Sequence, residues 1–127
     1  MDLINAIIQV ESGGDDNAIG DRNLTYSAYG CLQCRWPCVL DVNNHYGTKY
    51  HARDCLGHRE ISTDIFNKYI AMYANAHVLK REPTDVDRMR LWNGGIGGMI
   101  YNPHPNPRIE KNLQDYVAKV EHYMNLK

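Results

Sequence analysis

The residue best placed for chemistry is Glu11, a carboxylate at the end of an apolar helical segment. Residues 2–12 carry apolar side chains at helical spacing, and Glu11 shares one face with Ile7 and Ile8. The Gly-Gly pair at 13–14 predicts the end of this helix, because glycine readily adopts the left-handed cap conformation. Partial burial disfavours a charged carboxylate, so we expect Glu11 to hold a proton that it can donate to a leaving glycosidic oxygen.

Glu11 also has a purely structural interpretation, as a solvated glutamate in the last turn of a helix. The helix dipole places partial negative charge at that end and disfavours an anion there. This makes the residue unusual without assigning it a role. On position alone, both interpretations of Glu11 stay open.

The composition is that of one ordinary globular domain, and it argues against several classes of partner. The chain has 127 residues, 43% hydrophobic and 23% charged, with a net charge of −1, so we predict a single domain over residues 1–127. This balance gives no reason to expect nucleic acid. No apolar run approaches the roughly 20 residues that span a bilayer, so we expect no membrane partner. The N-terminus lacks the features of a signal peptide, so we expect none.

Hydrophobic periodicity, caps and turns predict the elements that must position this glutamate. We predict polar turns over 15–22, a short irregular hairpin over 24–35, a helix from Trp36 to about Asn44, and a loop over 44–57. We predict a longer helix from a Ser62 cap to about Leu79. Another is predicted to begin at Thr84, with Asp87 in a capping box, and to end at 92–95, and a last one to cover 107–126. The pattern predicts a mostly helical chain with one small β element.

An ordered series of short motifs runs along nearly the whole chain. Residues 7–14 read Ile-Ile-Gln-Val-Glu-Ser-Gly-Gly, residues 18–21 read Ala-Ile-Gly-Asp, and residues 28–33 read Ala-Tyr-Gly-Cys-Leu-Gln. Further motifs follow in order at 54–56, 69–73, 92–95 and 116–120. This series resembles the lysozyme superfamily, and within it the invertebrate-type (i-type) lysozymes of phage or bacterial origin.

The resemblance implies an α+β, lysozyme-like fold and a muramidase activity. Such an enzyme hydrolyses the β-1,4 bond between N-acetylmuramic acid and N-acetylglucosamine in peptidoglycan. Glu11 matches the catalytic glutamate and is expected to act as the general acid. The resemblance implies no cofactor, and we expect a monomer whose partner is the glycan strand.

The resemblance also implies a second carboxylate, for which Asp21 is the best match. In some relatives this aspartate falls nearer the hairpin, where this chain has Asn23. Asp15 and Asp16 are other candidates, but they look like turn residues. A separation of about 5 Å between the carboxyl groups of Glu11 and Asp21 indicates a retaining mechanism, and about 6.5–9.5 Å an inverting one.

Four further residues are expected to line the sugar cleft by this resemblance. They are Tyr29, Gln33, Asn93 and Gly94. A glutamine amide both donates to and accepts from sugar groups, but Gln33 also has a structural interpretation in which its amide bonds its own backbone. The glycines after Asn93 equally fit a helix C-cap.

Two other functions stay open. A lytic transglycosylase uses the single glutamate and leaves anhydro-muramic ends, so it is indifferent to Asp21. A non-catalytic virion or binding module on a lysozyme scaffold needs neither carboxylate. If the chain is the muramidase, we expect it to be made in the cytoplasm and to reach the bacterial cell wall as a phage endolysin, a virion-associated lysin or a secretion-system effector.

The four cysteines are the largest departure from the i-type pattern. They are Cys31, Cys34, Cys38 and Cys55, and Cys34 replaces an apolar residue expected after Gln33. The spacing is not that of paired metal knuckles, so we favour thiols or one or two disulfides and predict no metal. Four cysteines allow three pairings, and the spacing does not choose among them.

Overall fold

The computed structural model describes residues 1–126, and the chain divides into two compact units. The central unit comprises Glu11–Tyr69. The terminal unit comprises Met1–Val10 together with the chain from Ile70 onward. The single domain expected from the chain length stays a prediction, because a division into compact units does not by itself separate domains.

The described residues form a mostly helical chain with one two-stranded sheet, as the sequence predicted. The α-helices are α1 (Leu3–Ser12), α2 (Trp36–Tyr46), α3 (Arg59–Tyr73), α4 (Ala76–Leu79), α5 (Asp85–Ile100) and α6 (Pro107–Met124). A 3₁₀-helix, η1, covers Ala52–Cys55, and the strands are β1 (Ile19–Gly20) and β2 (Ala28–Tyr29). None of the helices in residues 1–126 is long and apolar enough to cross a membrane.

The hairpin lies partly outside its predicted position. β1 pairs antiparallel with β2, with Ile19 opposite Tyr29, whereas the sequence predicted turns over 15–22 and a hairpin confined to 24–35. Two-residue strands carry too little alternation to be recognised by hydrophobic pattern. The predicted region does contain one further pair, the bridge between Tyr29 and Cys34.

The long helix predicted from a Ser62 cap to Leu79 is wrong at both ends. Its first turn forms on the carbonyl of His58, which accepts the backbone N–H groups of Ile61 and Ser62, so Ser62 lies inside α3 and is buried. The helix then ends at Tyr73 because of Asn75. The Asn75 amide donates to the carbonyls of the last turn of α3, and its Oδ1 accepts the Val78 N–H at 2.9 Å, starting α4.

The start of α5 is confirmed. The Thr84 N–H donates to Asp87 Oδ2 at 2.8 Å, and the Asp87 N–H donates back to Thr84 Oγ1 at 3.3 Å. The predicted end is correct only in part, because Gly95 breaks the helical geometry (φ 68°, ψ −169°) and the chain then resumes helical turns to Ile100.

Close packing of α5 on α6 explains two glycines of α5. A Cβ atom added to Gly94 would lie 2.6 Å from Leu113 Cδ2 in α6, and one added to Gly98 would lie 3.3 Å from the same atom. The first distance is shorter than real carbon atoms approach, and the second is tight. Gly94 and Gly98 therefore let the two helices of the terminal unit approach each other.

A buried ion pair organises the segment between α5 and α6. The Arg90 guanidinium donates to both carboxylate oxygens of Glu110, at 2.9 and 2.6 Å, and also to the carbonyls of Gly98 and Tyr101. The His104 N–H donates to Glu110 at 2.6 Å. These hydrogen bonds lower the pKa of Glu110 from 4.5 to about 2, and the bonds from Arg90 have a larger effect than the one from the His104 N–H.

We predict that the terminal unit loses stability in acid through Glu110. A carboxyl group with a lowered folded-state pKa stabilises the fold above its unfolded pKa, and this contribution is lost as pH falls from about 4.5 towards about 2. Glu110→Gln should lower the melting temperature at pH 7, and the difference from wild type should shrink progressively below pH 4.5.

The matched control is Asp115→Asn, which removes an exposed carboxylate paired with Lys111 on the same helix. It should leave the melting curve almost unchanged at every pH. Equal melting temperatures for Glu110→Gln and wild type at pH 7, measured by circular dichroism, would contradict the stabilising role of this pair.

Candidate functional site

Glu11 lies in the last turn of α1, half-buried, directly before a two-glycine turn. Gly13 and Gly14 both have left-handed backbone angles, φ 64° and 90°, which end the helix as the sequence predicted. Glu11 therefore lies at the end of the helix face that Ile7 and Ile8 bury.

Ser12 ties this helix end to the hairpin turn. Its hydroxyl donates to the Cys31 carbonyl at 2.8 Å and accepts the Gly14 N–H at 3.2 Å. One side chain thus satisfies a carbonyl in the turn after β2 and an amide freed by the end of α1. Because Ser12 is the next residue, this bond restrains the backbone that carries Glu11.

Arg59 holds the turn after Glu11 from the other side. Its Nη2 donates to the Gly14 carbonyl and its Nε to Asp16 Oδ1, both at 2.8 Å. The hydrogen bond with Asp16 raises the pKa of the Arg59 guanidinium. Asp15 accepts the Asn17 N–H at 2.9 Å, which is the turn geometry expected of it.

Gln33 uses its amide inside the hairpin. Its Nε2 donates to the carbonyl of Gly30 at 3.0 Å and of Ala18 at 3.3 Å, so the structural interpretation raised for this residue is realised. Its backbone is left-handed (φ 56°), which turns the chain back so that Cys34 pairs with Tyr29. A role in sugar binding stays a prediction.

Asp21 lies in an exposed turn between the two strands and forms an ion pair with Arg35. Its backbone is left-handed (φ 54°), and its carbonyl accepts the Leu24 N–H at 2.9 Å. Arg35 also donates to the Tyr26 carbonyl at 3.0 Å. The guanidinium therefore holds both the carboxylate and the backbone of the loop that joins the strands.

The remaining predicted site residues lie in different parts of the chain. Tyr29 in β2 is half-buried, with the Arg53 guanidinium carbon 5.6 Å from its ring centroid. Asn93 and Gly94 are exposed residues of α5 in the terminal unit. Of the six predicted site residues, the central unit holds Glu11, Asp21, Tyr29 and Gln33.

The sequence did not predict which residues restrain the backbone around Glu11 and Asp21. Ser12, Arg35 and Arg59 bind backbone carbonyls 9 to 45 positions away in the chain, and no local pattern reveals such partners. The only local signal was that Ser12 stands between Glu11 and a Gly-Gly pair.

A pocket of about 450 Å³ in the terminal unit is lined by Gln9, Val10, Ala118, Lys119, His122 and Tyr123, none of them a predicted site residue. Within residues 1–126, no group of three or more His, Cys, Asp or Glu side chains is arranged to hold a metal ion.

Comparison with known proteins adds no relative. No protein-family model matches the sequence, and no curated protein matches it significantly. The resemblance to i-type lysozymes therefore rests on the ordered motifs of the sequence.

We predict that Gly20 is required for the position of the Gln33 amide. A Cβ atom on Gly20 would lie 2.2 Å from Gln33 Oε1, so Gly20→Ala must displace the amide from its two backbone carbonyls. The expected cost is about 1–2 kcal/mol of unfolding free energy, from about 1 kcal/mol for each hydrogen bond.

A double-mutant cycle by urea denaturation tests this coupling. In a Gln33→Ala background there is no amide to displace, so Gly20→Ala should cost much less there than in wild type. The same cost in both backgrounds would show that Gly20 acts independently of Gln33.

Proposed function

We propose that the protein is a peptidoglycan hydrolase that uses Glu11 as its general acid. Its substrate is the β-1,4 bond between N-acetylmuramic acid and N-acetylglucosamine. Glu11 donates a proton to the leaving oxygen, and Asp21 stabilises or captures the positive charge that develops on the sugar. Tyr29, Gln33, Asn93 and Gly94 contact the glycan, and the site of action is the bacterial cell wall.

The observation that carries this proposal is the restraint of Glu11 on both sides. On one side the glutamate continues a buried helical face. On the other side, the next residue, Ser12, donates to the Cys31 carbonyl and Arg59 donates to the Gly14 carbonyl, at 2.8 Å each. A general acid must be held in a fixed geometry relative to the oxygen that it protonates. A solvated surface glutamate needs no such restraint.

The hairpin supports the same assignment. In the central unit, Ser12 bonds the carbonyl of Cys31, two residues before Gln33, and Gln33 spans the turn after β2. A β-hairpin beside an acid-bearing helix end is the arrangement that the resemblance to lysozymes implies.

A second candidate, a lytic transglycosylase, is favoured by the ion pair between Asp21 and Arg35. A carboxylate that already faces a guanidinium stabilises a developing sugar cation less well, because the two positive charges compete for it. In this candidate Glu11 acts alone and the muramic acid closes its own ring.

We predict that Glu11→Gln abolishes clearing of a peptidoglycan suspension. Glutamine keeps the size of glutamate and can form hydrogen bonds, but its amide is not acidic enough to transfer a proton to the leaving oxygen, so the rate should fall by about 10²–10⁴. The measurement is turbidity loss of purified peptidoglycan, with wild type and variant at matched concentration.

The control is Glu121→Gln, which changes an exposed glutamate of α6 and should leave the rate unchanged. Wild type that is folded by circular dichroism and yet inactive on several peptidoglycan types would overturn the proposal and favour a non-catalytic binding module. Equal activity of Glu11→Gln and wild type would remove Glu11 from the mechanism.

Asp21→Asn separates the two candidate mechanisms. If Asp21 is the second carboxylate, the variant should lose activity as Glu11→Gln does, and wild type should release reducing ends. If Glu11 works alone, Asp21→Asn should stay close to wild type, and mass spectrometry should find anhydro-muramic ends.

Loss of the Asp21–Arg35 ion pair is not expected to unfold the protein, since exposed pairs contribute about 0–1 kcal/mol. Asp85→Asn is the matched control, because it removes another aspartate that pairs with an arginine near the surface. It should leave activity unchanged.

A further inference from the structure

Two buried cysteines meet where η1 packs on the turn after β2. Cys34 is 1% exposed and Cys55 is 0% exposed. Cys34 pairs with Tyr29 through two backbone hydrogen bonds of 2.9 Å. Gly30, which follows Tyr29 in the chain, approaches Cys55 so closely that a Cβ atom added to it would lie 2.9 Å from Cys55 Cβ. The backbone of the hairpin therefore brings these two side chains to one place.

The two thiols lie close enough to affect each other's ionisation. The interaction between them raises the pKa of Cys34 and lowers that of Cys55. Both cysteines are free thiols in this structure. Two neighbouring buried thiols need only a small movement to form a covalent bond, and the lowered pKa of Cys55 makes it the better nucleophile of the two.

The other two cysteines have different surroundings. Cys31 interacts with Arg59, Asp16 and Ser62. Cys38 lies near Cys55, and burial followed by the charge of Asp41 raises its pKa to about 12, but its side chain is not fully buried, whereas those of Cys34 and Cys55 are.

We propose that Cys34 and Cys55 are a redox-active pair that peroxide converts to a reversible disulfide. The Cys55 thiolate attacks one oxygen of hydrogen peroxide and breaks the O–O bond; the displaced hydroxide takes a proton and leaves as water. Cys34, losing its proton, then attacks the sulfur of the Cys55 sulfenic acid, and a second water leaves. Two thiols and one peroxide thus give one disulfide and two waters, and a dithiol reductant restores the thiols.

Peroxide can reach this pair through the 3₁₀ turn. Cys55 is fully buried, but η1 is a single turn, and His51, Arg53 and Asp54 around it are exposed. Short exposed turns open locally at low cost, and peroxide is small enough to enter through such an opening. The disulfide would close the loop that contains α2 and so restrict the unfolded chain.

The test is peptide mapping of the folded, full-length protein after treatment with equimolar hydrogen peroxide and alkylation of the remaining thiols. Trypsin places Cys55 in peptide 54–59, Cys38 in 36–49, and Cys31 with Cys34 in 23–35. Chymotryptic cleavage after Leu32 then separates Cys31 from Cys34. The proposal expects 54–59 linked to the fragment that carries Cys34, and two of the four thiols protected from alkylation.

Cysteine variants give a second assignment of the disulfide that does not depend on the peptide map of the wild type. Cys34→Ala should abolish the link, whereas Cys38→Ala and Cys31→Ala should keep it. The oxidised wild type should melt on the order of 5 °C higher than the reduced protein, reversed by dithiothreitol. A link from 54–59 to 36–49, a link that persists in Cys34→Ala, or four alkylatable thiols after treatment would overturn the proposal. None of these outcomes depends on peptidoglycan cleavage.

Discussion

The hydrogen bond from the Ser12 hydroxyl to the Cys31 carbonyl is the constraint on which the central unit depends. A helix that ends in two glycines has a mobile end unless something holds it, because glycine adds no side-chain contact and restricts the backbone least. Ser12 supplies that restraint and also accepts the Gly14 amide. The residue before it, Glu11, is the one whose position matters most for the proposed chemistry.

The sheet that receives this bond is too small to hold itself together. It has two residue pairs, and isolated hairpins are marginal in water even when longer. Side chains therefore do what backbone ladders do elsewhere. The Gln33 amide bonds two carbonyls across the turn, and Arg35 bonds Asp21 and the Tyr26 carbonyl in the loop. Gln33, which was predicted to bind substrate, is thus also structural, and the proposed role in glycan binding requires the part of its side chain that the hairpin does not use.

The terminal unit relies on a different device. The Arg90–Glu110 pair is buried, and its remaining donors and acceptors are matched by the carbonyls of Gly98 and Tyr101 and by the His104 amide. A buried ion pair is tolerated only when such partners replace water. Because the partners are backbone groups of the segment joining α5 to α6, the pair defines the path of that segment.

The sequence by itself determined most of the helices, the Gly-Gly end of α1, the Thr84–Asp87 cap and the presence of a small β element, because periodicity and capping act over a few neighbouring residues. It did not predict β1, since two residues carry no pattern, nor the break at Asn75, where one amide satisfies both helix ends. Only the tertiary structure decided that Asp21 pairs with Arg35, that Gln33 bonds its own hairpin, and that Cys34 meets Cys55. Each of these contacts joins residues that approach only when the chain has folded, so their geometry is not written in local spacing.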